Sequence, residues 1–168
     1  MIHKIGTLGR VGGPILLDRI ITNSVTVAIA DSVKTASGFL ALGTAGARVL
    51  GHVEGFIGKD GLTPTKDGTL LQNLGATFAA ASDNQTVAQV RARVDVDCFA
   101  LYAAELDAAA GTTTGSGLAG KNFDLVDANT LDESTVAETT AQYYSHGLDD
   151  VNTAKVVVNI LESEVFGF

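Results

Sequence analysis

Three histidines, His3, His52 and His146, are the residues of this chain best suited to moving a proton near neutral pH. None stands in an HExxH pair, near a GxSxG nucleophile turn or beside a cysteine-rich cluster. His52 and Glu54 are spaced i, i+2, which on a strand places both on one face. They could form an acid–base pair, but an exposed polar face explains them more simply. Asp95/Asp97 and Glu162/Glu164 share this spacing, so each could act as a carboxylate dyad, and a divalent ion between Asp95 and Asp97 is geometrically possible. Cross-strand ion pairs among Arg91, Arg93, Asp95 and Asp97 on a wet face account for the second pair better. Ser116 lies in GSG without a strand-to-helix context, so its glycines read as a loop. Cys98, the lone cysteine, has no partner for an internal disulfide and reads as a small buried hydrophobe. The sequence therefore predicts no catalytic, cofactor-binding or metal-binding residue, and no enzyme.

The stretch that would position most of these groups is residues 86–98 (TVAQVRARVDVDC). Ala88, Val90, Ala92, Val94, Val96 and Cys98 alternate with Gln89, Arg91, Arg93, Asp95 and Asp97. Strict period-two alternation predicts one long strand with a buried and a wet face. Residues 23–33, 39–42 and 48–58 follow the same logic as three short strands separated by Ser-Gly and Gly-Thr-Ala-Gly turns, the pattern of an antiparallel meander. The two Asp-Gly steps in residues 59–68 predict hairpin turns. Residues 99–110 (FALYAAELDAAA) suit a short helix by propensity or an irregular strand extension. Residues 111–120 are loop-like, 139–146 read as a strand, and 154–166 form a last strand that is apolar on both sides in part.

Residues 1–18 have no clean period, and Gly6, Gly9, Gly12, Gly13 and Pro14 defeat a helix there. Yet Ile2, Ile5, Leu8, Val11, Ile15, Leu16 and Leu17 need apolar surroundings. An extended arm that lays Ile2, Ile5, Leu8, Val11, Pro14, Ile15 and Leu16 on a partner satisfies both facts; packing on its own domain is the plainer alternative. The expected organisation is an arm over residues 1–23 and a single β-domain over 24–168, with a subdivision near residue 100. The fold class expected is all-β, a compact antiparallel barrel or sandwich with an extended N-terminal arm.

Composition narrows the partners. A net charge of −8 is poorly suited to coating DNA or RNA, which takes clustered Lys and Arg. No apolar run approaches the roughly 18–20 residues of a membrane span, and Asp18-Arg19 interrupts the only apolar stretch near the start. The expectation is a soluble protein made in the cytoplasm, with no nucleic-acid or membrane partner.

Residues 31–64 (DSVKTASGFLALGTAGARVLGHVEGFIGKDGLTP), 101–127 (LYAAELDAAAGTTTGSGLAGKNFDLVD), 131–135 (LDEST) and 142–163 (QYYSHGLDDVNTAKVVVNILES) together resemble the decoration, or cement, and head-associated structural proteins of tailed bacteriophages. The resemblance implies a compact β-domain on the outer face of the virion capsid. Its partners would be the major capsid protein and copies of itself, often as a homotrimer, bridging capsomers against internal pressure. It implies no catalytic residue. The alternative is a tail, head-fibre or baseplate β-domain. A tail tube would need a long exposed hairpin, and a glycan-binding module would offer exposed aromatics, whereas this chain has no Trp and three Tyr. A trimeric β-barrel enzyme stands third, for want of a site.

Overall fold

The computed structural model describes residues 2–8, 14–66, 68–107, 118–132, 141–149 and 155–161. In chain order the strands are β1 (His3–Thr7), β2 (Leu16–Ile20), β3 (Thr26–Ala28), β4 (Ser32–Ala36), β5 (Phe39–Leu42), β6 (Gly51–Ile57), β7 (Thr65–Lys66) and β8 (Thr69–Leu70). They continue with β9 (Thr77–Ala79), β10 (Arg91–Asp95), β11 (Ala100–Leu106), β12 (Asn122–Asp127), β13 (Thr130–Asp132), β14 (Tyr143–Leu148) and β15 (Lys155–Ile160). The fold is all-β and mostly antiparallel, as the alternation predicts.

Two sheets carry the architecture. One runs β1-β11-β13-β12-β14-β15, and a further β11–β15 pairing closes five of its strands into a barrel-like ring. The other runs β2-β10-β6-β4-β5, with a parallel bridge between Ile21 and Leu40 drawing its two edges together. Each sheet has its own apolar cluster: Tyr102, Phe123, Leu131, Tyr143, Val156 and Ile160 in the first, and Ile21, Val33, Leu40, Phe56, Ala92 and Val94 in the second. Residues before and after position 100 thus fill different cores, apart from Val49, which packs in the first cluster, and an exception at the start of the chain.

That exception corrects the arm. β1 is extended, but it pairs antiparallel with β11 of the same chain, and Ile2 is fully buried in the core that β11 lines. Burying one isoleucine side chain is worth about 1.5–3 kcal/mol, enough to seat the segment at home.

The strand predicted over residues 86–98 is shorter and differently faced. Asn84–Ala88 forms a single π-type helical turn, and only Arg91–Asp95 is strand. The turn is built around Asn84: its buried side-chain amide donates to the carbonyls of Ile21 and Val90, while its Oδ1 accepts from Val90 N–H. Ala92 and Val94 face the core, and Arg91 and Arg93 face solvent, as expected. Asp95 and Asp97 do not; both are buried, at 0% and 1% exposure. Residues 100–106 are strand, one of the two readings the sequence left open.

Candidate functional site

The polar groups singled out by sequence meet where the two sheets meet. β6 carries a bulge: Arg93 pairs with Gly55 and Val94 with Val53, leaving Glu54 as the extra residue. A bulge shifts the phase of alternation, so Val53 and Phe56, three positions apart, both reach the first-half core. His52 points the other way and enters the second core, where its ring lies 4.0 Å from that of Tyr102 and 5.8 Å from that of Tyr143, centroid to centroid. This corrects the expectation that His52 and Glu54 share a wet face: His52 is buried, Glu54 exposed.

Register builds a row across three strands. Asp95 of β10 is the cross-strand partner of His52, and His52 of β6 is the partner of Ser32 on β4. Asp, His and Ser side by side are the residue types of a nucleophilic triad, but the wiring differs. Tyr143 stands between Ser32 and His52, with its hydroxyl 2.8 Å from Ser32 Oγ and 3.1 Å from His52 Nε2. His52 Nδ1 lies 3.4 Å from the carbonyl of Ala30. A neutral imidazole satisfies the whole chain: Ser32 donates to Tyr143, Tyr143 to Nε2, and Nδ1–H to Ala30. Burial drives the His52 pKa down to about 3, with the Ala30 contact opposing. Burial likewise raises the Tyr143 hydroxyl, against the Ser32 bond, so it stays a phenol.

Asp95 is not on an ion-pair ladder with the arginines. Its carboxylate is paired with Lys4 of β1 and accepts from Asp97 N–H at 3.0 Å. Asp97 in turn accepts from Phe99 N–H at 3.1 Å. Arg93 pairs instead with Asp18 on β2, at 3.1 Å and in the open. Further polar ties join the halves. Asn129 donates to Asp31, Ala128 accepts from Ser32 N–H, and Asp124 accepts from Gly46 N–H. Buried Gln142 donates to the carbonyls of Thr44 and Ala47. Burial raises the Asp31 carboxyl despite its bonds from Ala28 N–H and Asn129.

A cavity of about 290 Å³ opens beside this seam, lined by Lys4, His52, Glu54, Gln72, Tyr102 and apolar neighbours. Among the described residues, no group of three or more His, Cys, Asp or Glu side chains is placed to hold a metal ion, and no helix is long and apolar enough to cross a membrane.

The residues expected at a partner interface separate. Ile2 is core, whereas Ile5, Leu8, Pro14, Ile15 and Leu16 are exposed. Val11, like Ser116, Glu162 and Glu164, lies outside the described residues. Phe99 joins the exposed set, its carbonyl accepting from Leu8 N–H at 2.7 Å, while Ile15 O accepts from Val96 N–H at 2.8 Å. His146 is exposed and bonded to Asn159, and Cys98 is buried. Ser32, Tyr102 and Tyr143 carry no sequence signal for the seam, because their partners lie 50, 91 and 111 positions away.

No protein-family model, curated protein or solved structure matches this chain.

Proposed function

We propose that this chain is a virion structural protein that decorates and stabilises the exterior of a tailed-phage capsid, bridging subunits of the major capsid protein as a homo-oligomer, by resemblance a trimer. The observation that carries this reading is an apolar surface held on a well-tied β framework. Leu8, Ile15, Leu16 and Phe99 are each more than a third exposed, and backbone bonds bring their segments together. Ile5, the bulged residue of β1, is 46% exposed three positions before Leu8. Clustered exposed apolar side chains favour contact with another protein surface. The seam supports the same reading, since a shell component must resist shear between its own halves. Many modest contacts, multiplied by simultaneous engagement of several capsid subunits, would supply the strength.

The experiment is co-sedimentation with phage heads lacking the protein, together with its mass in solution. Wild type should bind and lower genome release on heating. A Leu8→Ser, Leu16→Ser, Phe99→Ser variant should stay folded and fail to bind. Absence of binding to heads, with labelling on tails instead, would replace this reading with that of a tail or baseplate component.

A further inference from the structure

We infer that the cleft between β1, β11 and the bulge of β6 binds an alkylammonium group, carried either by a small free amine or by a lysine side chain of another protein. The inference goes beyond the decoration reading and does not depend on it.

Charge sets the sign of the ligand. Lys4, the one cationic side chain lining the cleft among the described residues, is already paired with Asp95, which has no exposed surface. Glu54 stands at the cleft on the bulge, and among the described residues it has no ion pair of its own. Burial and the charge of Asp95 both raise its pKa, with Lys4 opposing, as for a carboxylate short of positive charge. An anionic ligand would meet Glu54 and Asp95; a cation would relieve them.

Hydrogen bonding sets its shape. The Tyr102 hydroxyl is buried and has no hydrogen-bond partner among the described residues, and Tyr102 lines the cleft. Leaving such a hydroxyl unmatched is unfavourable, so a ligand that engages it is favoured. Its raised pKa, caused first by burial and then by nearby Asp95, keeps it a neutral phenol whose oxygen can accept. Glu54, Gln72 and Tyr102 all line the cleft, and a carboxylate, an amide oxygen and a phenol oxygen are each acceptors for an ammonium N–H. Ile2, Ile29 and Leu74 offer apolar contact for the alkyl chain, and Leu74 is 56% exposed. At about 290 Å³ the cleft falls just below the usual range for drug-sized ligands, which fits a short amine. The described residues hold no cluster suited to a metal ion.

The test is titration of the isotopically labelled full chain with n-butylammonium, n-butyrate and n-butanol, following backbone amide shifts. Butylammonium should give saturable shifts at Lys4, Glu54 and Tyr102 with a Kd of about 1 mM or tighter, and the other two should not. Glu54→Gln should weaken binding about tenfold, and Tyr102→Phe several-fold, both with otherwise native spectra. A blocked lysine peptide that binds more tightly than butylammonium assigns a protein side chain as the source; weaker binding assigns a free amine. Absence of saturable shifts, equal binding of butyrate, or unchanged affinity in Glu54→Gln would overturn the inference.

Discussion

The imidazole of His52 lies against the ring of Tyr102, centroids 4.0 Å apart and planes inclined by 38°, although the two residues belong to different sheets. Their rows continue the contact on either side. Asp95 flanks His52 across β10, Lys4 flanks Tyr102 across β1, and these two flanking residues are paired. One register step in either sheet would part both pairs at once, since a one-residue slip turns each side chain to the opposite face.

Burial of His52 makes stability fall in acid. The folded imidazole titrates at about 3 and the unfolded one near its ordinary 6.5. Between those values the unfolded chain binds the extra proton, so stability declines as pH drops, by up to about 1.4 kcal/mol per unit from this group. Asp31 and Glu54, both raised, act in the opposite sense within the carboxylate range and offset part of the loss. Urea midpoints measured from about pH 7 to about pH 5 should fall for wild type. They should fall less steeply for His52→Phe, which keeps a ring against Tyr102 but cannot titrate. Parallel profiles would contradict the buried neutral histidine.

Two glycines on β6 should respond in opposite ways. A Cβ on Gly51 would stand 2.0 Å from the Asp95 carbonyl oxygen, within the β10 backbone, so strand spacing itself must give. A Cβ on Gly55 meets nothing within 4 Å. Gly51→Ala should cost about 1–3 kcal/mol or more, and Gly55→Ala should stay within about 0.5 kcal/mol of wild type. Thermal melts of the pair decide it.

The Lys4–Asp95 pair yields a cycle. Lys4→Met strands a carboxylate with no exposed surface and should destabilise by about 3–5 kcal/mol. Adding Asp95→Asn removes the stranded charge and should recover a large share. Arg93→Ala, which breaks an exposed pair with Asp18, should cost under about 1 kcal/mol. If Lys4→Met and Arg93→Ala melted alike, the burial of Asp95 would be wrong.

Legibility in the sequence followed local physics. The alternation of Val156, Val158 and Ile160, and of Ala92 with Val94, reports burial correctly because each strand there faces one core. It fails at His52, Asp95 and Asp97, where strand ends enter the seam and the polar face is covered as well. Polar residues at alternate positions look the same whether water or a second sheet satisfies them. Residues 99–110 read equally as a short helix or a strand extension, and Ala100–Leu106 is a strand because β1, β13 and β15 all pair with it. No spacing rule could have joined Ser32 to Tyr143.

The start of the chain gives the sharpest outcome. An arm made only for a partner could be removed without harm to the domain. The first residues instead supply Ile2 to a closed core, an edge of backbone bonds from β1 to β11, and Lys4 as the ion-pair partner of Asp95. Their loss would open a cavity, free one side of β11 and strand a buried charge, three penalties that act together. Deletion of residues 1–7 should therefore abolish a cooperative melt or lower Tm by more than about 10 °C. The Leu8→Ser, Leu16→Ser, Phe99→Ser variant should melt within a few degrees of wild type, since those side chains are already largely in water. Circular dichroism melts of the two proteins side by side separate core from contact surface. A truncated chain that melts like wild type would return β1 to the role of a detachable arm.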